Sequence, residues 1–216
     1  MEKEKIYCFD FDGTLTKKDT LLEFIKYNKG TPHFLIGFLL YSPLLILMKL
    51  HLYPNWKAKQ LIFNHFFGGM DIDDFNVNCI DFAEHNQHLL RFEGIRMLQE
   101  AQRKHKRVFV VSASIDNWVQ PFFMFQHLES VKVLGTQIEI VEGKVTGRFR
   151  TANCYGAEKV RRIQEALTSS YNTTIQEAIS LPFNRSQYEI EAFGDSRGDK
   201  EMLAFADQGH YKPFSK

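Results

Sequence analysis

Asp10 and Asp12 stand two residues apart and are followed at once by Gly13. At the end or bend of a strand, such a pair of carboxylates points in roughly similar directions. Carboxylates that close repel each other unless a cation lies between them. A hard divalent ion such as Mg²⁺ prefers oxygen ligands and keeps part of its water shell. Gly13 has no Cβ, so backbone amides beside it can approach an anion closely. Asp195 and Asp199, in Gly194-Asp195-Ser196-Arg197-Gly198-Asp199, add further negative charge. Taken singly, each of these features has a plainer explanation. An Asp-x-Asp is most often a surface turn, and Gly-Asp-Ser suits a helix start. Ser112 alone reads as a strand-end hydroxyl capping a helix, and Lys159 alone as a surface lysine. The ordered set carries the weight.

Three apolar runs must bring these residues to one place. Ile6 to Phe11 reads as a short buried strand delivering Asp10 and Asp12 to its carboxyl edge. Val108-Phe109-Val110-Val111 reads as a second strand, ending at Ser112-Ala113-Ser114. Tyr188 to Phe193 alternates and then ends at Gly194-Asp195-Ser196. Sites in open parallel α/β sheets lie beyond the carboxyl ends of the strands, so three strands ending in polar residues agree with one another. Between them, Phe92 to Lys106 places Ile95, Leu98 and Gln102 at helical spacing. Ala157 to Leu167 does the same with Val160, Ile163 and Leu167. Ile138 to Phe149, turning at Glu142-Gly143, has the pattern of a β-hairpin. Lys17 to about His88 shows no convincing strand and reads as several helices inserted after the first one.

The four segments, in this order, resemble the haloacid dehalogenase superfamily of phosphatases. The first is Asp10-Phe11-Asp12-Gly13-Thr14-Leu15-Thr16 and the second is Val108 to Ser112. The third is Lys159 in Gly156-Ala157-Glu158-Lys159-Val160, and the fourth is Gly194 to Asp199 with Met202-Leu203 behind it. The resemblance runs from Tyr7 to Leu203; its first and fourth motifs are specific, the other two weak alone. It implies an α/β fold: a Rossmann-like parallel-sheet core (1–16 and 89–216) with a small β-hairpin, and an inserted α-helical cap (17–88). It implies that Asp10 attacks phosphorus and forms an aspartyl-phosphate, and that Asp12 serves as acid and then base. Mg²⁺ would be held by Asp10, Asp195 and the backbone carbonyl of Asp12, with Asp199 supporting. Ser112 and the Ala113 amide would hold phosphoryl oxygens, and Lys159 would neutralise charge on nucleophile and phosphate.

Within the superfamily the layout resembles the phosphoserine phosphatase-like branch, including Asn153-Cys154-Tyr155-Gly156 after the hairpin. Two departures bear on substrate. Asp19 stands where those enzymes carry a Glu that helps bind the substrate amine, and Gly198 stands where an Asn is usual. Phosphoserine itself is therefore disfavoured, and a small phosphorylated metabolite or a phospholipid-type head group is expected. Phe34 to Met48 is the most apolar stretch and is interrupted by Pro43. At about 15 residues it falls short of the roughly 20 that a membrane span needs, so it reads as two cap helices packed on each other. The competing reading is a greasy cap that admits a lipid tail or touches a membrane surface, with Trp56, Lys57 and Lys59 near head groups. Related caps occur in phosphatases of phosphatidylglycerophosphate-like lipids.

The chain has 216 residues, enough for one good-sized domain or a core with an insertion. Its 27 basic and 26 acidic residues nearly cancel, which argues against a broad nucleic-acid footprint. Gln102 to Arg107 is a local basic run at an expected helix end. Twenty phenylalanines call for a bulky aromatic core or an apolar binding surface. Cys8, Cys79 and Cys154 show no metal-ligand spacing and read as reduced thiols of a cytoplasmic protein, peripheral to the membrane if the lipid reading holds. Residues 1–5 lack the apolar region of a secretory signal, so the sequons at Asn172 and Asn184 read as chance matches. A phosphotransferase on the same core is one alternative. A non-catalytic phosphate-binding protein is another, disfavoured by the intact Asp10, Asp12, Lys159 and Asp195.

Overall fold

The computed structural model describes residues 3–50, 52–169 and 183–214; the sequon at Asn172 lies outside them. In chain order the elements are β1 (Glu4–Phe9), α1 (Thr20–Lys49), α2 (Asn55–Phe67), α3 (Ile72–His85) and α4 (Phe92–Arg103). There follow β2 (Arg107–Ile115), α5 (Asp116–Met124), β3 (Val131–Thr136), and the hairpin strands β4 (Ile138–Val141) and β5 (Lys144–Phe149). The chain continues with α6 (Ala157–Ser169), β6 (Tyr188–Gly194), α7 (Lys200–Phe205) and β7 (Gln208–Tyr211).

Five strands form one parallel sheet in the order β3-β2-β1-β6-β7, and β4 pairs with β5 antiparallel. β1 is central, so the chain builds outward on one side and then returns to build on the other. The three strands expected from sequence are the central three. β3 and β7 were not expected, because β3 runs almost directly into the hairpin. β7, Gln208-Gly209-His210-Tyr211, is a short edge strand with no apolar run.

Alternation along the strands sorts the core into two faces. Phe9, Val108, Val110 and Phe193 face the layer that includes α1 to α5. Ile6, Cys8, Phe109, Val111 and Ile190 face Ile163 and Leu167 of α6 and Met202 of α7. The first face explains the phenylalanine count. Phe24 packs its ring against Phe67, Phe75, Phe82 and Trp118, with centroids 5.0 to 5.7 Å apart. Burying each such ring contributes about 1.5–3 kcal/mol.

Three local expectations are corrected. β1 ends at Phe9 rather than Phe11, because residues 11–15 turn sharply around Gly13, whose φ is +82°. β2 does not stop before Ser112 but runs on to Ile115, its register with β3 shifting between Val111 and Ile115. Nor does Pro43 divide the apolar segment. α1 passes through it and departs from helical geometry at Gly30 instead, where φ is +76° and ψ 158°. Proline strips the carbonyl four residues earlier of its helical donor, and here the Ser42 hydroxyl donates to that carbonyl, Leu39 O, at 2.8 Å. By length and composition α1 is apolar enough to cross a membrane. The packing of two short helices on each other is not what forms: Leu35, Leu39, Leu40 and Ile46 of α1 are 59 to 76% exposed.

Candidate active site

The carboxyl ends of β1, β2 and β6 meet on one edge of the sheet. Asp10 follows β1, and its amide continues the ladder by donating to Phe193 O at 2.8 Å. Its side chain is buried, with Oδ1 2.6 Å from Lys159 Nζ. Lys159, also buried, reaches up from the first turn of α6 and lies 2.5 Å from Asp199 Oδ1. The ammonium is thus clamped between two carboxylates. Burial works to lower its pKa, but Asp10 and Asp199 outweigh that and hold it above the usual lysine range.

Carboxylate oxygens of Asp10, Asp195 and Asp199 lie within 4.8 Å of one another. Burial pushes the Asp10 carboxyl up to about 8, with Lys159 pulling the other way and Asp199 and Asp12 adding to the rise. Asp195 is raised too, by burial and then by Asp199. Asp199 is lowered: burial opposes this, but Lys159 and hydrogen bonds from Ser196 prevail. Its Oδ2 accepts from the Asp195 and Ser196 amides at 3.2 and 2.9 Å and from Ser196 Oγ at 2.8 Å. Asp199 is therefore locked, which also removes Arg197-Gly198-Asp199 from consideration as an exposed adhesion tripeptide. Gly13 is obligatory here: a Cβ on it would fall 2.4 Å from Asp195 Oδ2. Thr14 Oγ1 donates to Asp195 Oδ1 at 3.2 Å.

Asp12 is held by donors that the sequence did not single out. Thr20 gives Oδ1 both its amide, at 2.7 Å, and its hydroxyl, at 2.6 Å. Ser114 Oγ donates to Oδ2 at 2.5 Å. Thr20 Oγ1 accepts in turn from Trp118 Nε1 at 3.2 Å. The pairing of Ser114 with Ser112 was available from strand alternation, which puts residues two apart on one side. Thr20 carried no signal beyond its place at a helix start. Ser112 is buried, and its Oγ accepts from the Ser114 amide at 3.0 Å.

Above this floor lies a cavity of about 420 Å³, lined by Asp10, Asp12, Ser112, Ala113, Lys159 and residues of α1 and α2. Asp19 lines it as well, while its Oδ1 caps α1 by accepting from the Leu21 and Leu22 amides. Lys59 of α2, which the sequence pointed toward head groups, instead reaches down to Ala113 O at 2.6 Å. Its pKa is lowered by burial, against the pull of Asp12, Asp19 and Asp10. Gly198 has a local reason: any Cβ there would meet the Tyr155 ring at 2.3 Å, and Tyr155 lines the cavity.

A central parallel sheet with carboxylates, hydroxyls and a buried lysine at its carboxyl edge defines a class, and the family comparison names it. Residues 8–204 match the model of the haloacid dehalogenase-like hydrolases, and the chain belongs to that family. Protein CicA of Caulobacter vibrioides is 30% identical over 177 residues, 78% of this chain and of that protein. A protein of unknown function from Bordetella pertussis Tohama I superposes with a TM-score of 0.76 at 13% identity, covering 94% of this chain and 87% of that one. A phosphoserine phosphatase, solved as an analogue of its phospho-aspartyl intermediate, gives 0.59 at 16% identity, covering 95% and 84%.

Proposed function

We propose that this chain is a magnesium-dependent phosphomonoester hydrolase that works through an aspartyl-phosphate on Asp10. One observation carries the reading: buried Asp10 shares Lys159 with Asp199, and Asp12 is held beside it by three hydrogen bonds at the floor of a cavity. A phosphoserine phosphatase of the same fold, solved as an analogue of its phospho-aspartyl intermediate, supports it.

The donor set fits Mg²⁺. Three carboxylates crowd together with one lysine between two of them, and all the donors are hard oxygens. Asp10 and Asp195 would hold the ion with the Asp12 carbonyl, and Asp199 would support the shell. When bound, it neutralises charge on the phosphoryl oxygens.

The remaining steps belong to the chain's own groups. An Asp10 carboxylate oxygen attacks phosphorus as the bond to the ester oxygen breaks, and Asp12 gives that oxygen a proton. Asp12 then takes a proton from water as the water attacks phosphorus. The bond to Asp10 breaks, and inorganic phosphate and the free carboxylate remain. Ser112, the Ala113 amide and Lys159 hold phosphoryl oxygens. Residues 17–88 act as a cap over the core formed by 1–16 and 89–216, with Lys59 reaching β2 and helping to exclude water.

The test is phosphate release from p-nitrophenyl phosphate and a panel of phosphomonoesters. Turnover is expected only with Mg²⁺, and Asp10→Asn should abolish it while circular dichroism stays native. Absence of magnesium-dependent turnover on every ester would defeat the proposal.

A further inference from the structure

The cavity over Asp10 has two chemically different kinds of lining. Its charged lining residues are Asp10, Asp12, Asp19, Lys59 and Lys159. They belong to one electrostatic cluster, because Lys59 acts on Asp12, Asp19 and Asp10, and Lys159 on Asp10. Its apolar lining comes from Leu21, Leu22, Phe38, Leu45, Met48 and Ile62 of α1 and α2. Leu21 and Leu22 adjoin Asp19, whose Oδ1 accepts from their amides, whereas Phe38, Leu45, Met48 and Ile62 offer only apolar side chains. Against those four an amine or carboxylate would find no charged partner, whereas a hydrocarbon chain fits them.

The outer side of α1 continues the same chemistry. Leu35, Ile36, Leu39, Leu40, Ile46 and Leu50 are each 59 to 76% exposed, a larger run of bare apolar side chains than a monomer ordinarily leaves in water. The charge pattern is one-sided over the same stretch. Between Glu23 and Asp71 there is no acidic residue, while Lys29, Lys49 and Lys57 fall there, besides Lys26, which pairs with Glu23, and Lys59, which turns into the cavity. An apolar helix face accompanied only by cations suits the surface of an anionic bilayer. Both ends of the apolar stretch are anchored to the same body: Phe24 and Ile25 sit in the core, and α2 packs on β5. That favours lying on a surface over crossing it.

We propose that the substrate is an amphiphilic phosphomonoester, with its phosphate at Asp10 and its hydrocarbon chain between α1 and α2. It is drawn from an anionic lipid surface on which the outer face of α1 rests. This rests on the phosphatase reading above and deepens it.

The probes are n-butyl, n-octyl and n-dodecyl phosphate, offered in water and in vesicles of phosphatidylglycerol or phosphatidylcholine, with p-nitrophenyl phosphate as the soluble reference. kcat/KM is expected to rise about fourfold for each methylene that meets the apolar lining. Leu45→Gln should compress the octyl-to-butyl ratio. The protein should sediment with phosphatidylglycerol vesicles and not with phosphatidylcholine vesicles. The pair Leu39→Glu and Leu40→Glu should lower the vesicle-borne to soluble activity ratio at least tenfold. Hydrolysis of p-nitrophenyl phosphate with equal kcat/KM for butyl and dodecyl phosphate would overturn the inference and leave the phosphatase reading standing. Chain-length dependence without sedimentation would overturn the lipid-surface half. Failure to hydrolyse any ester would overturn both readings.

Discussion

Asp10 is the residue on which the site turns, and its electrostatics give a measurable signature. Its ordinary pKa is about 4; burial raises it to about 8 in the fold. Between those values the folded chain binds more protons at Asp10 than the unfolded chain does. Stability therefore falls as pH rises through this window. In EDTA, the thermal midpoint of Asp10→Asn should exceed that of wild type by more at pH 8 than at pH 5. A difference independent of pH would contradict this. Ser114 gives a second prediction. Its hydroxyl donates to Asp12 at 2.5 Å, and a hydrogen bond to a charged group contributes about 1.5–3 kcal/mol. Ser114→Ala should therefore lower kcat about 10- to 100-fold, with little change in KM; an unaltered kcat would show that Asp12 does not depend on it. Asp10, Asp12 and Asp195 stood out because each interrupts or closes an apolar run, and Asp199 because it follows Asp195 in one short motif. Where Lys59 reaches was not legible, because its partner, Ala113 O, lies on another element, 54 residues away.

At the scale of elements, the three central strands were legible because buried parallel strands are continuous apolar runs. β7 was not, since an edge strand needs no such run. α1 was misjudged at Pro43, where a neighbouring serine repairs the lost hydrogen bond, and at Gly30, where the helix actually breaks. The contact between α1 and α2 rests on a missing side chain. A Cβ on Gly37 would lie 2.3 Å from the Phe66 ring. Gly37→Ala gains about 1 kcal/mol of helix propensity but incurs about 1–3 kcal/mol of overpacking. Net destabilisation is expected in denaturant titration. A raised midpoint would mean that Phe66 moves aside freely and that the two helices do not need this close approach.

For the molecule as a whole, the proposal assigns the reaction to the sheet and the selection to the inserted helices. The carboxyl edge of β1, β2 and β6 gathers Asp10, Asp12 and the Lys159 clamp, which the proposal makes nucleophile, acid and charge neutraliser. On the proposal made above, α1 and α2, whose sequence departs furthest from strand-helix alternation, supply the apolar lining that would select the substrate. That division explains why the chemistry was readable from four short segments and the substrate was not. The most direct test of the central claim is to quench the enzyme in acid during turnover with p-nitrophenyl phosphate and weigh its peptides. The peptide containing Asp10 should be heavier by one phosphoryl group, and Asp10→Asn should neither gain that mass nor turn over. Turnover with no phosphorylated peptide, or with Asp10→Asn still active, would contradict it.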